Sequence, residues 1–123
     1  MRKYINFRGS GGLIMVNDSK TTPEDEYNYL MIIHEPLAKE YGGGRSYTHR
    51  FIGLNNAYNI CGVSDMWYLD HRGVEFCRSM ILDKGNIVMG FGLEDAEAYI
   101  VKIDLNEVKK LIHPIELLET LTV

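Results

Sequence analysis

Three sets of residues in this 123-residue chain have the types that do chemistry. The first is Cys61 with His71 or His49 and Asp65 or Asp70. A thiolate nucleophile needs a base to take its proton and an acid to orient that base. Gly62, next in the chain, could bring a backbone N–H close to a developing oxyanion. No local signature of a cysteine hydrolase surrounds Cys61, and Asp70-His71-Arg72-Gly73 equally reads as an ordinary turn. Cys61, His71 and Asp70 are therefore the catalytic candidates of a hydrolase reading that ranks third.

The second set pairs arginine with glycine-rich turns. Arg8 precedes Gly9-Ser10-Gly11-Gly12, Gly42-Gly43-Gly44 precedes Arg45, and Arg72 precedes Gly73. Consecutive backbone N–H groups can cradle an anion, and a guanidinium can grip phosphate with two donors. Arg45, Arg50, Arg72 and His49, with Arg78 beside them, are the residues such a ligand would use. Neither Gly-x-x-x-x-Gly-Lys-Ser/Thr nor a Gly-x-Gly-x-x-Gly opening a helix is present. The plainer reading makes these glycines hairpin turns and a helix stop. A nucleotide-like, phosphate-bearing small molecule is thus the second expectation.

The third set is aromatic. Eight Tyr, four Phe, one Trp and six Met are generous for this length, and Met66-Trp67-Tyr68 is the densest stretch. Tyr, Trp, Met and Arg are the types enriched at protein interfaces. Trp67, Tyr68 and Tyr29 are the partner-binding candidates, set against a two-sided core strand as the alternative. Metal is not expected. His34, His49, His71 and His113 include no pair four apart on a helix and no His-x-His, and no cofactor is implied.

Composition bounds the classes. Hydrophobic residues make up 46% and charged residues 24%, so the chain can bury a core and is not disordered as a whole. The net charge is −4 and the 13 Lys and Arg are scattered, which argues against nucleic-acid binding and against a polybasic membrane anchor. No run of 18 apolar residues occurs, and residues 1–8 lack the apolar stretch of a signal peptide. Cys61 and Cys77 fit neither a disulfide framework nor a zinc pattern, so both are expected as reduced thiols in a cytoplasmic protein.

The elements that must position these residues form, by pattern, one α+β domain over residues 1–123. Short strands are expected at 4–7 and 13–16, hairpinned across the glycine loop. Thr22-Pro23-Glu24-Asp25 has the cap, first-turn proline and acids of a helix start. Tyr27, Leu30, Met31, His34 and Leu37 then follow helical spacing, with Pro36 predicting a kink and Gly42-Gly43-Gly44 an end. Residues 47–54 alternate as a strand, and 55–64 read as an irregular connection. Strands at 74–82, 87–91 and 98–103, joined by tight turns, make an antiparallel C-terminal meander with the last two as core strands. Asp104 and Glu107 begin a capped helix, and Ile115, Leu118 and Leu121 suggest another short one. The predicted architecture is a mainly antiparallel sheet covered by a Pro-kinked helix and short C-terminal helices, with a strongly bent, barrel-like sheet as the alternative.

The leading functional expectation is a small non-enzymatic binding or regulatory protein acting through a protein partner. Its general character suits a phage or mobile-element inhibitor of a host system. Homodimerisation through an unprotected sheet edge, with Glu75 and Arg78 guarding or pairing it, is a further expectation.

Overall fold

The computed structural model describes residues 8–20, 26–36, 47–69, 75–93 and 97–115. They form eight strands and one helix: β1 Arg8–Met15, β2 Tyr29–Pro36, β3 Tyr47–Leu54, β4 Ile60–Ser64, β5 Glu75–Asp83, β6 Asn86–Leu93, β7 Glu97–Asp104, α1 Leu105–Leu111 and β8 Ile112–Pro114. Two antiparallel sheets result, a five-stranded one in the order β1-β2-β3-β4-β8 and a three-stranded one in the order β5-β6-β7. β1 runs beside β5, and α1 bridges β7 to β8.

This overturns the α+β expectation. The segment predicted as a Pro-kinked helix holds β2, which pairs with β1 on one side and β3 on the other. Tyr29-Leu30-Met31-Ile32-Ile33 is apolar throughout because both faces of this strand are covered. Leu30 and Ile32 face the space between the sheets, while Ile33 packs with Ile52, Leu54 and Val63 on the opposite face. A strand buried on both sides reads as a continuous apolar run, from which a 3.6-residue spacing can always be picked. The helix start at residues 21–25, the Gly42-Gly43-Gly44 stop and the strand at 4–7 lie outside the described residues.

Other departures are local. Gly9-Ser10-Gly11-Gly12 is part of β1, where the pairing jumps from Ser10↔Ile32 to Leu13↔Met31 and Gly12 takes φ +84. The glycines make a bulge within a strand. The connection at 55–64 contains β4. Ile112-His113-Pro114 extends as β8 on the edge of the first sheet, where a proline costs no ladder bond; Leu118 and Leu121 of the short helix expected from Ile115 lie outside the described residues.

The C-terminal meander pairs as expected, but β7, expected as a core strand, is an exposed edge because among the described residues nothing lies along its far side. Lys84 (φ +50) and Gly85 (φ +81) are both left-handed, which makes the β5–β6 connection a two-residue type I′ turn. Asp104 caps α1 by accepting from the Asn106 amide at 2.7 Å, whereas Glu107 pairs with Lys110 instead of closing the capping box.

One core joins the two sheets. Leu30, Ile32 and Phe51 of the first meet Met80, Ile87, Met89 and Phe91 of the second, with Val108 of α1 and Ile112 of β8 at the side. Each such side chain contributes about 1.5–3 kcal/mol when fully buried. Tyr27 lies on a slot made by the cross-strand pair Gly53↔Gly62. A Cβ on either glycine would stand 2.5 Å from a Tyr27 atom, so only glycine leaves room for the ring.

Candidate functional site

After β4 the chain continues along β3 and makes one more antiparallel bridge, between Trp67 and His49. The His49 amide donates to the Trp67 carbonyl at 2.8 Å, and the Trp67 amide returns a bond to His49 at 2.9 Å. Alternation about this bridge sends the indole inward. Its ring centroid lies 4.8 Å from His49, 5.1 Å from Phe51 and 6.0 Å from Phe91. Met66 and Tyr68, on either side, turn outward, and Leu69 follows them into solvent; the three are 50%, 52% and 43% exposed.

A buried polar pair holds the end of this segment. Glu75, at the head of β5, accepts from the Leu69 amide at 2.6 Å. The same oxygen meets His49 Nε2 at 3.1 Å. Because that oxygen is the acceptor for Leu69, we assign the proton of His49 to Nε2, which donates to it. His49 Nδ1 is then a bare lone pair, and among the described residues it has no hydrogen-bond partner. His49 is 0% and Glu75 1% exposed, and the imidazole also meets the Phe91 ring edge-on at 5.2 Å. Thr48 adds a contact from the outer face, its hydroxyl 3.5 Å from the Met66 sulfur.

The residues singled out by sequence scatter around this segment. His49 and Arg50 are neighbours on β3 and face opposite sides. Arg50 bridges three strands, with Nε on Glu35 at 2.8 Å and a terminal nitrogen on the Ser64 carbonyl at 3.1 Å. Arg78 lies across Gly92 on the outer face of the second sheet. These two described arginines do not converge, and Arg45 and Arg72 fall outside the described residues. Cys61 is half-buried beside the core, its thiol directed at the Gly53 carbonyl at 3.6 Å, and burial pushes its pKa up. That shift opposes thiolate formation. Asp70 and His71 are likewise outside the described residues. His113 faces Asp65 at 3.3 Å on the surface.

Tyr29 stacks on Tyr58 with centroids 4.7 Å apart, and a hydrogen bond to Tyr58, then burial, push its phenol up. Tyr29 pairs with Leu54, five residues along β3 from the His49 bridge, or about 17 Å at strand rise. It is therefore a separate feature from Tyr68. No group of three or more metal-ligating side chains occurs among the described residues. No helix of the described residues is long and apolar enough to cross a membrane.

Glu75 is the residue that pattern reading missed as part of this site. A carboxylate at the start of an apolar strand resembles an edge guard, and nothing local marks its partner 26 residues upstream. No family model matches the chain, and neither the curated proteins nor the solved structures contain a match to it.

Proposed function

We propose that this chain is a non-enzymatic binding protein that regulates or inhibits a protein partner by docking it on Met66, Tyr68 and Leu69. The observation that carries this reading is the anchoring of an exposed apolar trio by a buried core. Trp67 is wedged between the sheets and Leu69 is tied to the Glu75 carboxylate, so the segment is ordered before anything binds. Pre-organisation matters because ordering side chains on association costs about 0.5–1.5 kcal/mol each. Tyr and Met supply large contact area, and interface energy concentrates in a few such anchors. The partner this face suits has an apolar cleft for Tyr68, with a basic rim complementary to a chain of net charge −4.

A photo-crosslinking amino acid placed at position 68 tests this in the cell that expresses the chain. The expected result is one discrete adduct that is absent when the label sits at Asn106 on α1. That adduct disappears in a Met66→Ser/Leu69→Ser variant whose melting temperature is unchanged. Equal crosslinking from both positions, or an adduct indifferent to the double substitution, rules the docking face out.

A further inference from the structure

We propose that two copies of this chain pair through their β7 strands, antiparallel about a two-fold axis at Ile100, to form one six-stranded sheet. The surface differs from the Met66–Leu69 face, and the inference does not rest on that reading.

β7 ends the three-stranded sheet, and among the described residues no strand pairs with its far side. Of the devices that blunt such an edge, β7 carries charges, with Lys102 the one lysine between Glu97 and Asp104, but no proline, bulge or covering strand among the described residues. β7 has eight residues, contains neither proline nor glycine, and pairs with β6 over its whole length without a register shift. By contrast, the far side of β5 faces β1, and Glu75, expected to guard that strand, is buried with His49.

The backbone parity of β7 follows from the β5–β6 hairpin. In a two-residue turn the flanking pair, here Asp83↔Asn86, exchanges both hydrogen bonds. Asn86, Val88 and Gly90 therefore bond to β5, and Ile87, Met89 and Phe91 bond to Ile103, Val101 and Tyr99 of β7. The N–H and C=O groups of Ala98, Ile100 and Lys102 point away from the sheet. An antiparallel pair that keeps both copies' faces aligned must set residues opposite whose numbers sum to an even value. The pairing must also join residues that both have free groups. Centring on Ile100 meets both conditions: Ile100 opposes Ile100 of the second copy, and Ala98 opposes Lys102 in both directions. All three free residues of each copy then bond, and no like charges stand opposite one another.

The side chains agree. Ile100 is 80% exposed, beside only Gly90 and Ser79 in its row, and Ile81 and Val88 lie in the next row of the same face. Pairing would set the two Ile100 side chains against each other at the centre of the joined face, while Lys102 of each copy ends the Ile81–Val88 row beside them. A second copy is the occupant because centring on Ile100 bonds every outward backbone position of Ala98, Ile100 and Lys102, sets the exposed Ile100 on itself and places each Lys102 opposite Ala98.

Sedimentation velocity on the full chain, read with amide exchange, tests the proposal. The expected result is a concentration-dependent dimer in which the Ala98, Ile100 and Lys102 amides gain protection. Tyr99 and Val101, already bonded to β6, stay protected at every concentration. Ile100→Lys should give a monomer of unchanged melting temperature. Ile100→Cys should form an intermolecular disulfide in air, since hydrogen-bonded antiparallel pairs hold their Cα atoms about 5.5 Å apart. Ile81→Cys on the same face should not. A monomer across the whole accessible concentration range overturns the proposal. So does a dimer that survives Ile100→Lys, or protection that rises without the alternation.

Discussion

Removing the Glu75 carboxylate strands two donors in the core, the His49 Nε2–H and the Leu69 amide. An unsatisfied buried group costs its full desolvation, about 1–3 kcal/mol for each donor left without an acceptor. Glu75→Leu should lower unfolding free energy by about 3 kcal/mol in urea titrations, and the Leu69 amide should lose exchange protection beyond the global loss. Cys77 offers a pH readout. Burial raises its thiol from 9.0 to about 11, partly offset by a backbone hydrogen bond with Ser79. Below pH 9 both folded and unfolded thiols keep their proton, so this contribution to stability is complete. As pH rises toward 11 only the unfolded thiol ionises, and roughly 2–3 kcal/mol is lost. Cys61, also raised by burial, adds in the same direction. Stability curves of the wild type and of Cys77→Ala should therefore converge between pH 9 and 11.

At the scale of elements, the Gly53↔Gly62 pair and Tyr27 lock β3, β4 and the approach to β2 together. Gly53→Ala puts a methyl where the ring lies, and overpacking of this kind costs about 1–3 kcal/mol. Combining it with Tyr27→Leu should cost less than the sum of the single changes, measured as a double-mutant cycle, because the clash is shared. Asp104→Ala removes the cap of α1 and should cost about 1 kcal/mol, with helical loss confined to the seven residues between β7 and β8. The hairpin at Lys84-Gly85 and the Asp104 cap are visible in the sequence because each is a local interaction. β2 is not, because its conformation is set by what covers its two faces.

For the whole molecule, the shared core makes a single probe informative. Trp67 is the only tryptophan, and it touches Phe51 of the first sheet and Phe91 of the second. If the sheets unfold together, Trp67 fluorescence and far-ultraviolet dichroism should follow one denaturant transition with the same midpoint. Two separated midpoints would show that the sheets come apart independently. Phe91→Ala should shift both signals equally, by about 3–5 kcal/mol, since that ring packs against His49 and Trp67 across the gap.

The sequence by itself determined the features that act over a few residues. These are the alternation of residues 47–54, the meander with its left-handed turn, the capped helix after Asp104, and the density of aromatic residues around Trp67. Tertiary structure decided the rest. It made a strand of the predicted helix, because apolar cover on both faces outweighs spacing. It turned Trp67 inward and left Tyr68 outside, because the bridge to His49 sets the alternation. It exposed β7, predicted as a core strand, because edge and centre differ only in what lies alongside. And it brought His49 to Glu75, because a pairing across 26 residues depends on how two sheets face each other, which no local pattern encodes.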